Sequence, residues 1–201
     1  MTRIDKAAAE PDGPGRRERK KAATRQALAD AALRLFLEKG FDQVKVAEIA
    51  AAADTALTTL FAHFPGGKEA LILEDGAERE ASLAVAVRGR ADGVPVLAAL
   101  RAFFAGRGPF DPDPAPEFLL RTQLVADTPA LRAYARRMWT GCEAALAEVI
   151  AEACGRPSAD LSLRILARYV LEIPDLASMG PDPRRALDLA FDHLERGWPG
   201  V

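Results

Sequence analysis

The chain has 201 residues, of which 49% are hydrophobic, and its formal net charge is −2. A chain of this length and composition can bury a hydrophobic core in one domain or two small ones, and it does not need disulfides or metal ions to stabilise the fold. Two cysteines are too few for a disulfide framework or a zinc site, and neither an 18-residue apolar run nor an apolar N-terminal segment occurs. We therefore expect a cytoplasmic protein with no membrane span and no metal site.

The charge is distributed unevenly along the chain. Residues 1–68 carry 12 Lys and Arg against 9 Asp and Glu, whereas the remaining residues carry 15 against 20. A basic N-terminal part followed by an acidic remainder indicates contact with a polyanion at one end of the molecule.

The N-terminal part predicts three helices. Residues 1–17 are rich in Ala, Pro, Gly and charge without periodicity, which predicts a disordered arm, although a run of five Arg and Lys at its end could also meet phosphates. Helical spacing of apolar residues from Leu28 to Phe36 then predicts a first helix over about residues 18–39, ended by Gly40. Two short helices follow, separated only by residues 54–56, and the segment 65–67, Pro-Gly-Gly, ends the second of them.

The rest of the chain is helical in character and interrupted by proline. We predict helix breaks near Gly93 and over residues 108–117. Helices are predicted to begin at Thr128-Pro129, Ser158 and Asp182-Pro183, and one helix is predicted to end at Pro174. One apolar face continues from residue 131 to residue 149. No segment alternates with period two, so we predict an all-α fold of about nine helices. A helix-turn-helix domain would span residues 18–67, and a helical domain would span residues 68–201.

The third helix has the composition of a DNA-reading helix. Such a helix needs short polar side chains for base edges and phosphates and an apolar back face that anchors it. We expect Leu57, Leu60 and Phe64 to face inward. The side chains expected to face outward are Thr58, Thr59, Ala62 and His63.

At this point the sequence resembles a known family. The run from Lys21 to Leu71 is similar to the N-terminal domain of the TetR family of bacterial repressors. The matching features are Leu35-Phe36, Gly40-Phe41, Val46, Ile49-Ala50, Ala53, Thr59-Leu60, Phe61, His63-Phe64, Lys68-Glu69 and Leu71. The resemblance implies a homodimer that binds a palindromic double-stranded DNA operator and is released by a small-molecule effector. It also implies dimerisation through the last two helices, here about residues 158–173 and 183–197.

Three departures from the family pattern bear on DNA binding. Asp54 stands where the family usually has glycine, and Ala56 stands at the usual capping position, so that Thr55 would have to cap the third helix. Phe61 replaces a phosphate-binding tyrosine and loses its hydroxyl. The Gly66-Gly67 pair lengthens the loop before Lys68 by one residue.

The candidate sites follow from these considerations. The DNA-contacting candidates are Lys45, Thr58, Thr59, Phe61, His63 and Lys68, of which the two lysines would hold phosphates. The candidates for the effector pocket are Phe103, Arg121, Gln123, Tyr134, Met138 and Trp139, although such aromatic residues and methionines equally fill ordinary helical cores. Arg121 and Gln123 interrupt an apolar run and would need polar partners if they were buried.

Other classes of function have less support in the sequence. Motifs of nucleotide-binding, hydrolase and metalloprotease sites are absent, so we expect neither an enzyme nor a cofactor. The remaining alternative is a helical dimeric interaction protein whose helix-turn-helix no longer reads DNA, which Phe61 and Ala56 would suggest.

Overall fold

The computed structural model describes residues 15–73 and 76–197, with the side chains of residues 76, 77 and 117 left aside. These residues form ten α-helices and two short 3-10 turns, and no strand occurs among them. The predicted all-α fold is thereby confirmed. The helices are α1 Arg16–Lys39, α2 Val46–Ala52, α3 Leu57–His63, α4 Gly76–Arg88, α5 Val96–Ala105, α6 Pro116–Asp127, α7 Pro129–Gly141, α8 Glu143–Cys154, α9 Leu161–Ser178 and α10 Pro183–Arg196.

The chain divides into two compact units, residues 1–67 and 68–201. In the first unit the apolar face of α1 packs with α2 and α3. The buried side chains are Leu28, Leu35, Phe36, Phe41, Val44, Ile49, Leu60 and Phe64. Gly40 ends α1 with a positive φ of 82°, and its N–H donates to the carbonyl of Phe36, as expected for a glycine after a helix end.

The second unit is built around α9, which packs against α7, α8 and α10, while α4 packs against α8. Its core is one continuous apolar cluster. The largest fully buried side chains in this cluster are Phe104, Phe191, Leu83, Leu100, Leu146, Ile150 and Leu171. No helix in the described ranges is long and apolar enough to cross a membrane.

Several predicted boundaries were wrong. α1 begins at Arg16, within the predicted arm, whose residues 1–14 lie outside the described part. The face predicted from residue 131 to 149 is divided at Cys142 into α7 and α8, directly after Gly141, a poor helix former. This division accounts for ten helices where about nine were predicted.

The predicted boundaries of α9 also differ from the structure. The helix begins at Leu161 because the carboxylate of Asp160, and not Ser158, caps it by accepting from the N–H of Ser162 at 2.9 Å. It continues past Pro174 to Ser178. Pro174 removes one backbone hydrogen bond, but Ile173, Pro174 and Ala177 are buried, so packing holds the last turn in place. At α10 the predicted start is confirmed, since Asp182 caps the N–H of Arg185 and Pro183 follows it.

Candidate DNA interface and effector site

A tight turn connects α2 to α3 and sets the direction of the third helix. Asp54 adopts a φ of 49°, a left-handed conformation that aspartate tolerates better than most residues. The N–H of Thr55 donates to the carbonyl of Ala50 at 3.0 Å. The expectation that Thr55 caps α3 was wrong, because Ala56 occupies the N-cap position and no side chain caps this end. Within the first turn of α3, the N–H of Thr59 donates instead to the backbone carbonyl of Ala56 at 3.0 Å.

Two side chains anchor α3, and the others face outward to different degrees. Leu60 is 0% exposed and Phe64 is 3% exposed, as predicted. Leu57 was expected to face inward, but it is 42% exposed because it lies in the first turn, beyond the core that Leu60 and Phe64 fill. Phe61 is 45% exposed. Thr58 and Ala62 are also exposed, whereas Thr59 and His63 are half-buried.

Arg25 of α1 contacts the C-terminal end of α3. The sequence did not predict a role for this residue. Its Nη1 donates a hydrogen bond to the carbonyl oxygen of His63 at 2.8 Å, and its guanidinium carbon lies 4.4 Å from the centre of the Phe64 ring. A cation that meets the last carbonyls of a helix also opposes the negative end of its dipole. The available signal was an arginine one turn before Leu28, near the apolar face of α1.

The predicted phosphate-binding lysines lie in different units. Lys45 is exposed at the N-cap of α2, and its backbone N–H donates to the Glu48 carboxylate at 3.4 Å. Lys68 is half-buried and precedes the first 3-10 turn, Glu69–Leu71, in the second unit. Further cations occupy the start of α1, where every residue from Arg16 to Lys21 is exposed.

In the second unit, two of the six effector candidates meet in an aromatic cluster. Phe103 and Trp139 pack edge to face with 6.3 Å between their ring centres, and Phe104 lies 5.2 Å from Trp139. The guanidinium of Arg79, which is almost fully buried, lies 4.6 Å from the Trp139 ring. Met138 is half-buried, and its carbonyl accepts from the Cys142 thiol, whose pKa is raised mainly by burial. The cluster therefore offers apolar surface next to a positive charge.

The other three candidates, Arg121, Gln123 and Tyr134, differ in their exposure. Gln123 is exposed and donates to Asp127 at 2.8 Å, so it is not the buried polar group that needs a partner. Tyr134 is half-buried near Arg137. Arg121 is half-buried, and its Nε is buried without a hydrogen bond to any residue the structure describes. A surface groove of about 300 Å³ runs between α4 and α5, and Phe103 is the one candidate that lines it.

The outer face of α9 carries a stripe of exposed apolar side chains. Leu161, Ile165 and Tyr169 are spaced four residues apart, Leu176 follows two turns later, and Met179 is the C-cap residue; all five are between 44% and 68% exposed. An amphipathic helix normally turns such residues toward a core. The stripe is therefore an apolar face that the described chain leaves uncovered.

A chain of ion pairs links α7, α8 and α9. Glu172 accepts from Arg136 at 2.6 Å and from Arg168 at 3.0 Å, and Glu143 lies 2.9 Å from Arg164 and 3.5 Å from Arg168. The hydrogen bond from Arg136 is the main reason why the pKa of Glu172 lies below its ordinary value. The hydrogen bond from Arg164 likewise lowers the pKa of Glu143. Both carboxylates are therefore charged at neutral pH.

Two family models match this chain. The model of the bacterial regulatory proteins of the tetR family matches residues 28–74, and the model of the MftR C-terminal domain matches residues 94–199. The chain is also 33% identical over 168 residues to the HTH-type transcriptional regulator TcmR of Streptomyces glaucescens, a match that covers 81% of this chain and 73% of TcmR. The chain belongs to the TetR family.

Further similarities agree with this assignment. The mycofactocin biosynthesis transcriptional regulator MftR of Mycobacterium tuberculosis is 28% identical over 155 residues, which are 77% of this chain and 78% of MftR. The solved structure of Thermus thermophilus FadR, a TetR-family repressor in complex with lauroyl-CoA, aligns with a TM-score of 0.50 at 25% identity. The alignment covers 88% of this chain and 96% of FadR.

The similarities fix the class of function. This TetR-family chain is a ligand-responsive, DNA-binding transcriptional regulator, and its relatives are regulators of transcription and not enzymes. The resemblance found in the sequence is thereby confirmed.

Proposed function

We propose that this TetR-family protein is a cytoplasmic repressor that binds a palindromic operator as a symmetric homodimer and leaves it when a small molecule binds the second unit. It acts by binding alone and catalyses no reaction. The proposal is supported by the way in which α3 is held against the rest of the first unit. Leu60 and Phe64 are buried on its inner face, and Arg25 forms a hydrogen bond with the carbonyl of His63 at its C-terminal end. Thr58 and Phe61 are exposed to solvent.

The exposed side of α3 suits the major groove. Thr58 and Thr59 supply hydroxyls for base edges or phosphates, and Ala62 together with the threonine methyls supplies apolar contact for thymine. Phe61 lies at the same surface and contributes apolar contact without a hydroxyl. His63 would contact the DNA at the end of α3. Lys45 and Lys68 are proposed as phosphate contacts, which position the protein without reading sequence.

The uncovered stripe on α9 supports dimerisation through α9 and α10. A self-complementary apolar surface is what a two-fold interface needs, and Leu189 of α10 extends this surface. The proposed dimer is therefore a four-helix contact between two copies of α9 and α10.

The aromatic cluster supports an effector with an apolar body. FadR was solved with lauroyl-CoA, a ligand that carries a long apolar chain. In this chain Phe103, Met138 and Trp139 supply apolar surface, and the groove beside Phe103 gives access from the surface. We therefore place the effector along this cluster, and Gln123 and Tyr134 are not needed for it. Arg121 remains a candidate because its buried Nε can donate to an acceptor on the ligand.

The test of DNA contact is a fluorescence polarisation titration with DNA that flanks the gene. Replacing Thr58 and Thr59 together by Ala should weaken binding by tenfold or more, since each specific contact contributes about 1–3 kcal/mol of discrimination. Thr140→Ala, a change on α7, is the matched control and should leave affinity unchanged. Lys45→Ala and Lys68→Ala should each weaken binding to all sequences alike and lower the salt slope by about one. Full affinity in the double threonine variant would remove α3 from the interface.

The test of the dimer is sedimentation velocity. Ile165→Glu places a charge in the centre of the proposed contact and should convert the dimer to a monomer. Val85→Glu changes an apolar residue on α4 that is 70% exposed, more than the 44% of Ile165, and serves as the control. Dimers that persist in the Ile165 variant at micromolar concentration would refute the α9 interface.

A further inference from the structure

One positive charge lies inside the second unit. Arg79, near the start of α4, is 8% exposed, and it is the one buried charged side chain in the described ranges. An arginine is not deprotonated in proteins, so Arg79 keeps its charge where it lies. Charged side chains are almost never buried unless opposite charges or hydrogen-bond acceptors meet them. Arg79 therefore makes the interior of this unit a place where a negatively charged group is stabilised.

The surroundings of Arg79 are aromatic. Its guanidinium carbon lies 4.6 Å from the centre of the Trp139 ring. That ring packs edge to face against Phe103 and Phe104, with 6.3 Å and 5.2 Å between the ring centres. The pKa of the Cys142 thiol is raised mainly by burial, and the charge of Arg79 opposes this effect. The charge therefore acts in a setting poor in water, in which its attraction to an anion is stronger than at the surface.

The surface groove between α4 and α5 adjoins this cluster. Phe103 lines the groove and also packs against Trp139. Ala86 lines the groove too, and it follows Arg79 by seven residues, so both lie on one face of α4, about 10 Å apart along its axis. The groove volume of about 300 Å³ is at the small end of the range for ligand pockets. A small ligand with an apolar body and one anionic end matches this arrangement.

We propose that the effector is a small apolar carboxylate, whose body lies along Phe103 in the groove and whose carboxylate is bound by Arg79. This inference rests on the proposed function, in which a small molecule binds the second unit, and it names the charged group that this unit recognises. The planar guanidinium presents five N–H donors in a fork that matches the two oxygens of a carboxylate. Arg79 thus selects the head group, and the aromatic side chains bind the body.

A free carboxylate fits Arg79 better than a thioester of coenzyme A does. In a thioester the carboxyl carbon carries no charge and is joined to a large polar group. The negative charges of that group are phosphates at the end remote from the acyl chain. An almost fully buried arginine beside Trp139 can meet the small head of a carboxylic acid, but it cannot meet a nucleotide without a large opening of the helices. The site therefore distinguishes an apolar acid from its coenzyme A ester.

Two other arginines near the groove are less suited to this role. Arg90 lines the groove, and its guanidinium donates to three backbone carbonyls at distances between 2.7 and 3.3 Å. These hydrogen bonds hold the C-terminal ends of α4 and α8 together. Arg107 lies 3.7 Å from the centre of the Phe103 ring but is exposed, so water screens its charge.

The test is isothermal titration calorimetry of the full chain without DNA. Decanoate with decanol and naphthoate with naphthol are pairs that share an apolar body and differ in the head group, and decanoyl-coenzyme A is the thioester. We expect at least one carboxylate to bind about tenfold or more tightly than its neutral counterpart, as a charge-assisted hydrogen bond provides. Arg79→Met should remove this preference and leave binding of the neutral compounds unchanged. Equal binding within both pairs by the parent overturns the proposal, as does tighter binding of the thioester than of decanoate.

A matched change on α7 provides the control. Arg137 is exposed, and its guanidinium lies 5.6 Å from the Tyr134 ring, so Arg137→Met removes another cation beside an aromatic ring. This variant should bind the carboxylate as the parent does.

Urea unfolding checks that the Arg79→Met variant folds, and replacement of a buried charge by an apolar side chain is often neutral for stability. If this variant does not fold, Arg79→Lys decides the question. Lysine keeps the charge and loses the planar fork, so it should weaken carboxylate binding severalfold and leave binding of the neutral compounds unchanged. Unchanged carboxylate affinity in the Met variant, or in the Lys variant if only that one folds, overturns the proposal.

Polarisation of a labelled operator fragment separates this inference from the proposed function. If the carboxylate releases the operator from the parent but not from the Arg79→Met variant, both stand. If the carboxylate binds through Arg79 but does not release the operator, the carboxylate site stands and control of DNA binding by this ligand fails. If a neutral compound or the thioester releases the operator and neither carboxylate binds, the regulatory function stands and this inference fails.

Discussion

Replacement of Arg25 by Met should loosen the C-terminal end of α3 without unfolding the first unit. Methionine retains an unbranched apolar stem and removes the guanidinium. The lost hydrogen bond to the His63 carbonyl, at 2.8 Å and partly buried, contributes about 1 kcal/mol, and the contact with the Phe64 ring adds about 0.5–1 kcal/mol. We expect the free energy of local opening at residues 60–64 to fall by about 1.5–2 kcal/mol.

Hydrogen exchange measured by NMR reports this change directly. A loss of about 1.5–2 kcal/mol makes the amides of this segment exchange roughly ten- to thirtyfold faster, since each 1.4 kcal/mol is about tenfold. Arg34→Met is the control on the same helix, because Arg34 is exposed and only forms a 3.8 Å pair with Glu38. Such pairs contribute about 0.5 kcal/mol or less. Equal exchange rates in the two variants would refute the assignment of Arg25 as the residue that fastens α3.

Three further predictions concern stability. Leu60→Ala removes a fully buried side chain and should destabilise the first unit by about 3 kcal/mol in urea unfolding; a loss under 1 kcal/mol would show that α3 is not anchored there. Asp54→Gly should stabilise the same unit by about 0.5 kcal/mol because glycine adopts the positive φ without strain, and a loss of stability would contradict this. The lowered pKa values of Glu143 and Glu172 stabilise the second unit above the ordinary glutamate range, so thermal midpoints should fall as the pH drops through their folded pKa values. Replacing both by Gln should flatten that pH profile, and an unchanged profile would rule these ion pairs out as its cause.

The sequence predicted most of the first unit because its signals there are local. Apolar spacing and Gly40 predicted α1, and the three residues predicted between α2 and α3 form a turn in which Asp54 has a positive φ. The contact of Arg25 with His63 joins residues 38 positions apart, and no local pattern encodes it. Leu57 followed the apolar spacing of α3, but the helix is so short that its first turn extends beyond the core.

The second unit was harder to predict, since its boundaries depend on packing. Pro174 is a strong local stop signal, but burial of the residues around it overrides that signal. The separation of α7 from α8 occurs at Gly141 and Cys142, within an apolar face that continues in both helices. Gln123 stands in an apolar run but is exposed, and none of the described side chains of α6 is fully buried. In the second unit, helical structure was thus predictable from the sequence, whereas the exposure of a single side chain such as Gln123 was not.

The most direct test of the central claim is a selection of genomic DNA fragments by the purified protein, at moderate salt and in excess unrelated competitor. A symmetric dimer that reads DNA through α3 predicts that the recovered fragments share one inverted repeat. Mutation of either half of that repeat should reduce affinity by a similar factor. Fragments without a common sequence, or a common sequence without two-fold symmetry, would contradict the account of a dimeric operator-binding repressor.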